Sequence, residues 1–226
     1  MSGFHSVPAR ALLGSALIAG LIACSAGFAR SKPVALPDPK LDIPSAKGEQ
    51  EAVFAGGCFW GVEAVFDHVK GVREATSGYS GGISGTAEYE TVSTGATGHA
   101  ESVKVVYDPK QVSYGQLLKI YFSVAHDPTQ LNRQSPDVGT QYRSEIFTTS
   151  PAQAKVARAY IAQLTAAKVF ATPIVTRVEP LKAFYPAEAY HQDYLGRHPD
   201  EPYIVYNDAP KLVHLKAMFP TLYKGG

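Results

Sequence analysis

The residue with the clearest capacity for chemistry is Cys58, which lies in a glycine-rich stretch at 56–61. A short apolar run at 52–55 precedes the stretch, and apolar positions at helical spacing follow it over 62–69. The glycines mark a turn, so Cys58 should lie at the first turn of a helix. The unpaired N–H groups and the positive dipole end there favour a thiolate, the nucleophilic form. The alternative is a buried, inert cysteine, which the glycines disfavour because they open space around the sulfur.

A second candidate is Glu101, which opens a predicted strand over 101–107. Alternation along this strand places Glu101 on the same face as Val103, Val105 and Tyr107. A carboxyl group on an apolar face loses hydration, which raises its pKa and keeps it protonated. The alternative is a strand-end glutamate that bends back to water.

The surrounding pattern supplies the elements that would hold these side chains. A capping-box pattern at Ser113 predicts a helix that continues through Ala125. A second capping-box pattern at Ser150 predicts a helix that continues to about Lys168. A long irregular segment over 126–139 is typical of a functional loop. Further strands are predicted over 52–55, 71–79, 140–147 and 174–179, with a short helix from Pro186 through Leu195. This alternation predicts an α+β fold, a two-layer sandwich whose central mixed sheet is packed by helices.

Composition narrows the classes of partner. The chain has 226 residues and a formal charge of +1, so charge implies no nucleic-acid partner. Its two cysteines, Cys24 and Cys58, provide neither a disulfide framework nor a zinc site built from cysteines alone. We therefore expect no metal site and no bound cofactor.

The N-terminus has the pattern of an export signal. Arg10 precedes an uncharged apolar stretch over 11–23 that is too short for a comfortable membrane span. The stretch ends in Leu21-Ile22-Ala23-Cys24, which resembles the lipobox of bacterial lipoproteins and would place a lipid on Cys24. A plain signal peptide cut after Ala29 is the alternative. Both predict an exported protein, periplasmic or in the cell envelope, with lipid anchoring through Cys24 as the favoured form.

Four segments follow from this reading. Residues 1–24 are the signal peptide, and the proline-rich residues 25–48 are a flexible tether. Residues 49–206 form the catalytic domain. Residues 207–226, where alternation is poor, are a C-terminal tail on the surface.

Several motifs together resemble one family. The sequence Gly57-Cys58-Phe59-Trp60-Gly61 resembles the active-site motif of the peptide-methionine (S)-S-oxide reductases, methionine sulfoxide reductase A. Further blocks match in the same order over roughly residues 50–197. They are Gly78-Tyr79-Ser80-Gly81-Gly82, Gly98-His99-Ala100-Glu101, Tyr107-Asp108-Pro109, His126-Asp127-Pro128-Thr129-Gln130, the run at 137–144, and Ala189-Tyr190-His191-Gln192-Asp193-Tyr194.

The resemblance implies a role for each matching residue. Cys58 would attack the sulfoxide sulfur, and Glu101 would protonate its oxygen. Tyr89 and Tyr142 would hold that oxygen by hydrogen bonds. The aromatic side chains that follow the cysteine, Phe59 and Trp60, would bind the substrate methyl group, and Asp137 would orient the hydrogen-bond network.

The resemblance also implies how the enzyme is recycled. Attack by Cys58 leaves a sulfenic acid, which usually condenses with a second thiol. Many family members carry resolving cysteines near the C-terminus, but this chain has no cysteine after residue 58. The reductant would therefore be an external thiol, either a thioredoxin-like protein or a small molecule. The substrate would be oxidised methionine, free or in proteins under repair, and the enzyme would be a monomer.

Two other functions remain open on the residues alone. A cysteine hydrolase would pair Cys58 with His99 or His191. A module that binds oxidised methionine without reducing it would not need the sulfur at all. We interpret His191 as a packing histidine and give it no part in the mechanism.

Overall fold

The computed structural model describes Met1, Gly3, residues 35–45 and residues 47–225. The described residues from 35 onward belong to one compact unit. The predicted lipidation site Cys24, the cut after Ala29 and nearly all of the predicted signal peptide lie outside the described residues.

A six-stranded mixed sheet forms the centre of the fold. Its strands are β1 (Gln50–Gly56), β2 (Val72–Ser80), β3 (Ala100–Tyr107), β6 (Ser144–Thr148), β7 (Arg177–Pro180) and β8 (Phe184–Pro186). The strand order is β7-β6-β1-β3-β2-β8, and every pair is antiparallel except β6 with β7. Two short strands, β4 (Arg133–Gln134) and β5 (Asp137–Val138), pair separately. The predicted α+β class with a central mixed sheet is confirmed.

The described helices pack on this sheet or cover its loops. They are α1 (Phe59–Asp67), α2 (Tyr89–Val92), α3 (Tyr114–Ile120), α4 (Pro151–Ala166), α5 (Tyr194–Arg197) and α6 (Ala209–Met218). A π-helical turn, Tyr121–Ala125, extends α3, and another, Ile204–Asp208, precedes α6. Short 3-10 turns occur at Ser84–Thr86, Thr140–Tyr142 and Ala189–His191.

The two predicted helix starts are confirmed, one with a different capping bond. The Ser113 hydroxyl accepts the N–H of Gln116, whose side chain accepts the N–H of Ser113, which completes a capping box. The Ser150 hydroxyl accepts the N–H of Gln153 at 3.2 Å. The Gln153 side chain, however, accepts from Thr149 instead of Ser150, so that box is only half formed.

Stacked aromatic rings in the core hold α1 in place against β1. The Phe54 ring on β1 lies 5.0 Å from the rings of both Phe66 on α1 and Tyr121. The Tyr121 hydroxyl donates to the Ala55 carbonyl at 2.7 Å, close to the end of the same strand. Because both sides of the turn after β1 are anchored, the backbone that carries Cys58 is held in one place.

Three predicted element boundaries are wrong. The strand predicted over 140–147 begins only at Ser144, because Thr140–Tyr142 forms a 3-10 turn. The strand predicted over 174–179 begins at Arg177. Pro186 ends β8 instead of opening a helix: it pairs with Gly78 on an edge strand, where a missing N–H is tolerated.

The predicted flexible tether over 25–48 is wrong for residues 35–45. These residues form no helix or strand, as their prolines predict, yet they are fastened to the domain. Leu36 is buried in the core, and the Pro37 carbonyl accepts the Tyr160 hydroxyl at 2.8 Å. The Asp42 carboxylate accepts the N–H of Gly115 at 2.9 Å. A lack of regular structure did not mean a lack of tertiary contacts.

The predicted surface tail over 207–226 is mostly half-buried or exposed in its described part, but it has regular structure. This segment begins in a π-helical turn and continues as α6, whose Leu215 side chain is fully buried. Beyond the helix, Tyr223 forms an isolated bridge with Val69, and Lys224 donates its N–H to the His68 carbonyl at 2.8 Å. The C-terminal segment is therefore a packed part of the domain.

Candidate active site

Cys58 is the N-cap residue of α1, as the glycine pattern predicts. Gly57 before it has a φ of +91°, and a methyl group there would lie 2.5 Å from the Gln134 side chain. A methyl group on Gly56 would lie 2.9 Å from the His126 ring. The glycines therefore allow close packing behind the cysteine, which itself remains partly exposed.

The Glu101 carboxyl group meets the backbone beside the cysteine. Its Oε2 atom accepts the N–H of Phe59, the first residue of α1, at 3.0 Å. Only 3% of Glu101 is exposed, so the alternative in which it bends back to water is wrong. Burial raises the pKa of Glu101 to about 8, the Phe59 N–H partly offsets this, and the charges of Asp137 and Asp208 add to it. Glu101 is protonated at neutral pH, as its apolar strand face predicts.

The Cys58 thiol behaves differently from the expectation of a thiolate in the substrate-free protein. Cys58 is partly exposed at the surface of the site, but the protein atoms around its sulfur desolvate it. This burial raises the pKa of the Cys58 thiol well above its usual value, and the charges of Glu101 and Asp208 raise it further. The Trp60 N–H and the Lys211 ammonium lower it by less. The Trp60 N–H at the helix N-terminus lowers the pKa of the thiol, as predicted, but burial and the two negative charges raise it by more.

Two phenol groups share the electrostatic environment of Cys58 and Glu101. Tyr89 begins α2 and donates its backbone N–H to Glu188 at 2.8 Å, while Tyr142 ends a 3-10 turn. Burial first, and then the Glu101 charge, raises the pKa of both phenols. Both tyrosines therefore keep their O–H donors across the ordinary pH range, which is what holding a sulfoxide oxygen requires.

Asp137 lies in β5 beside the same group of residues. It is half-buried and accepts a short hydrogen bond from the Tyr203 hydroxyl. Burial raises the pKa of Asp137, the Tyr203 bond lowers it, and the Asp208 charge raises it again. Its charge in turn raises the pKa of Glu101. Asp137 thus acts on the predicted acid through the electrostatic field.

The two aromatic residues after Cys58 have different surroundings. Phe59 is almost fully buried, with its ring near those of Tyr79 and His191. Trp60 is half-buried and stacks on Tyr194 with ring centres 3.7 Å apart. The Trp60 Nε1–H donates to His191 Nδ1 at 3.0 Å, which fixes the ring orientation and leaves any proton of neutral His191 on Nε2. The apolar surface beside the sulfur is therefore rigid.

A family profile described as "Peptide methionine sulfoxide reductase" matches residues 50–221. The chain belongs to this family. It is therefore an oxidoreductase that reduces methionine sulfoxide and repairs oxidised proteins.

Individual relatives agree with this assignment. The chain is 61% identical to a peptide methionine sulfoxide reductase MsrA 2 of Mesorhizobium japonicum, over 81% of this chain and 94% of that protein. It is 57% identical to a peptide methionine sulfoxide reductase MsrA 2 of Synechocystis, over 78% of this chain and 85% of that protein.

Solved structures agree as well. Methionine sulfoxide reductase A of Corynebacterium diphtheriae matches with a TM-score of 0.60 and 36% identity, over 74% of this chain and 88% of that chain. Reduced Mxr1 of Saccharomyces cerevisiae matches with a TM-score of 0.62 and 32% identity, over 72% of this chain and 92% of that chain.

The histidines of this reductase do not fit a cysteine hydrolase. His99 is bonded to the Ile83 carbonyl at 3.0 Å and His191 to Trp60. His126 is bonded to Tyr121 and Ser144, and burial lowers its pKa to about 4. Neither His99 nor His191, the two histidines that a hydrolase would pair with Cys58, is bonded to the sulfur: their partners are Ile83 and Trp60.

The sequence analysis of this reductase missed four residues of the site. They are Tyr203, Asp208, Lys211 and the Glu188 carboxylate that receives both the Tyr79 hydroxyl and the Tyr89 N–H. Three of them lie in or beside the segment that was predicted to be a tail. No periodicity or motif in the single sequence points to Tyr203 or Glu188, because their partners are 66 or more and 99 or more residues away in the chain. Asp208 and Lys211 pair locally, but Gly61, against which they pack, is distant in the sequence.

Two kinds of feature are absent from the residues that the structure describes. No group of three or more His, Cys, Asp or Glu side chains there could hold a metal ion. No helix among the same residues is long and apolar enough to cross a membrane.

Proposed function

We propose that this enzyme reduces the S epimer of methionine sulfoxide with Cys58 as the nucleophile and Glu101 as the proton donor. The observation that carries the proposal is the 3.0 Å bond from the Phe59 N–H to Glu101, which holds a protonated carboxyl group one residue from the sulfur. The Cys58 sulfur bonds to the sulfoxide as Glu101 protonates its oxygen. Transfer of that oxygen to Cys58 then yields methionine and a sulfenic acid, while the thiol proton restores Glu101.

The other predicted site residues assist this step. Tyr89 and Tyr142 donate hydrogen bonds to the sulfoxide oxygen, where charge develops. Phe59 and Trp60 provide the apolar surface for the methyl group, and the bond from Tyr203 keeps Asp137 in place beside them. The stacking of Trp60 on Tyr194 supports the proposal, because a rigid wall can distinguish one epimer from the other.

An external thiol regenerates the enzyme in this proposal. Cys58 is a free cysteine, and the chain has none after it. The sulfenic acid therefore reacts with two equivalents of thiol, which yields the Cys58 thiol, a disulfide and water. A thioredoxin-like protein or a small thiol can supply these equivalents, and no bound cofactor takes part.

An assay of each sulfoxide epimer with dithiothreitol tests the catalytic proposal. We expect turnover of the S epimer alone by the wild type. Cys58→Ser should abolish it, and Glu101→Gln should lower kcat/KM by about 10²- to 10⁴-fold. Turnover that survives in Cys58→Ser would contradict the proposal and would favour another nucleophile.

Intact mass after substrate addition without reductant tests the proposed intermediate. The expected product carries one added oxygen and reacts with dimedone. A loss of two hydrogens would show an intramolecular disulfide instead, and would refute the need for an external thiol at this stage.

We also propose that the protein is exported and anchored by lipid on Cys24, as a monomeric enzyme of the cell envelope. The support is the lipobox-like Leu21-Ile22-Ala23-Cys24 after an apolar stretch. Palmitate labelling of the wild type, lost in Cys24→Ala, is the expected result. An unlabelled wild-type chain that begins after Ala29 would establish simple cleavage.

A further inference from the structure

A buried ion pair from the C-terminal segment lies against α1, the helix whose N-cap is Cys58. The Asp208 carboxylate is 1% exposed, and its Oδ1 atom lies 3.0 Å from the Lys211 ammonium. The Lys211 side chain is itself 18% exposed. A buried ion pair stabilises a fold only weakly, because both groups lose their hydration.

The pair touches the first turn of α1. A methyl group added to Gly61, three residues after Cys58, would lie 2.0 Å from Asp208 Oδ1 and 2.6 Å from the Lys211 ammonium. The second carboxylate oxygen, Oδ2, is buried and has no hydrogen-bond partner in the described structure. Burial raises the pKa of Asp208, and the charge and hydrogen bond of Lys211 oppose this and favour the charged carboxylate.

The charges of the pair act on Cys58 in opposite directions. Asp208 raises the pKa of the thiol, after burial and Glu101, whereas Lys211 lowers it. The other titratable groups in the same environment come from several elements. They are Glu101 on β3, Asp137 on β5, Tyr89 on α2, Tyr142 on its 3-10 turn, Tyr194 on α5, and Tyr203 next to the π-helical turn. Of the three charges named for Cys58, those of Glu101 and Asp208 raise the pKa of the thiol and that of Lys211 lowers it.

We propose that Asp208 and Lys211 are positioning residues that hold the C-terminal segment on the first turn of α1 and balance the ionisation of Cys58 between them. The Lys211 ammonium stabilises the Cys58 thiolate. The Asp208 carboxylate holds the Lys211 ammonium in place through the ion pair and, by its own negative charge, destabilises the thiolate. This inference rests on the proposed role of Cys58 as the nucleophile. It assigns the C-terminal segment an electrostatic function in a chain that carries no cysteine there.

The test is the pH dependence of Cys58 alkylation by iodoacetamide in the full chain without substrate, followed on the Cys58 peptide by mass spectrometry. Asp208→Asn should move the midpoint to lower pH, and Lys211→Met should move it to higher pH. Each should shift by at least half a pH unit, about threefold in alkylation rate at a fixed pH below the midpoints. The double variant should lie between the single variants, and Lys211→Arg should resemble the wild type.

Two controls separate charge from structure. Lys216→Met removes an exposed lysine of the same helix and should leave the midpoint unchanged. Thermal unfolding identifies variants that fail to fold; if Lys211→Met does, Asp208→Asn and Lys211→Arg decide the question. Midpoints that move in the same direction, or not at all, would overturn the inference, since a merely structural contact would loosen in both variants. Because alkylation needs no turnover, this failure is distinct from a failure of the reductase proposal.

Discussion

The Glu101 carboxyl group accepts the N–H of Phe59 at 3.0 Å, so a β3 side chain is bonded to the backbone next to Cys58. The two residues are separated by 42 positions in the chain. This bond joins the central sheet to the first turn of α1. It also holds the Glu101 carboxyl group one residue from Cys58, the residue with which it is proposed to act.

The first prediction concerns the thiol and its acid together. Glu101→Gln keeps a carbonyl oxygen that can accept the Phe59 N–H but removes the ionisable group. The alkylation midpoint of Cys58 should therefore move to lower pH, since the Glu101 charge raises the pKa of the thiol. A variant that lost S-sulfoxide turnover with an unchanged midpoint would show that the two groups are not electrostatically coupled.

The second prediction is the pH dependence of turnover. The pKa of Glu101 is about 8, raised from a usual value of 4.5, so the carboxyl group is protonated below that pH and loses its proton above it. A proton donor is active only in its protonated form, so kcat/KM for the S epimer should fall as the pH rises through about 8. A profile that still rises beyond pH 9 would contradict the assignment of Glu101 as the acid.

The third prediction tests the bond from Tyr203 to Asp137. Tyr203→Phe removes one hydroxyl donor and should lower the free energy of unfolding by about 1 kcal/mol. It should also lower kcat/KM, since the Asp137 carboxylate would no longer be held in place. Tyr206→Phe is the matched control, because that side chain is 73% exposed. Equal behaviour of the two variants in denaturant unfolding and turnover would refute a role for Tyr203.

The fourth prediction tests the packing of α6 on α1. Gly61→Ala would bring a methyl group within 2.0 Å of Asp208, so the C-terminal segment must shift. We expect a loss of roughly 1–3 kcal/mol in the free energy of unfolding. Gly85→Ala, where the added methyl group meets nothing within 4 Å, should change it by less than about 0.5 kcal/mol. Similar stability of both variants would contradict the close contact.

The fifth prediction tests the fastening of residues 35–45. Leu36 is 5% exposed, so Leu36→Ala should cost about 2–5 kcal/mol of the free energy of unfolding. Leu41→Ala, at a position that is 37% exposed, is the control and should cost much less. Chemical denaturation of both variants measures the difference in the free energy of unfolding. Equal effects would show that residues 35–45 are a flexible tether, as the sequence predicts.

Features that depend on neighbouring residues could be predicted from the sequence. The strand, glycine turn and helix around Cys58 follow from apolar periodicity and from backbone conformations that glycine permits. The capping box at Ser113 is likewise a local exchange of hydrogen bonds. The buried state of Glu101 follows from the alternation of β3, because a strand places every second side chain on the same face.

The amino-acid sequence alone thus determined the family and most of the sheet, and it predicts the nucleophile and its acid. The tertiary structure decided that 35–45 and the C-terminal segment are packed, and that burial and nearby charges raise the pKa of the Cys58 thiol. The physical reason is the distance along the chain between the residues that interact. Caps, turns and strand faces are set within a few residues, whereas the charge balance at the sulfur sums contributions from β3 and from the Asp208–Lys211 pair, which only folding brings together.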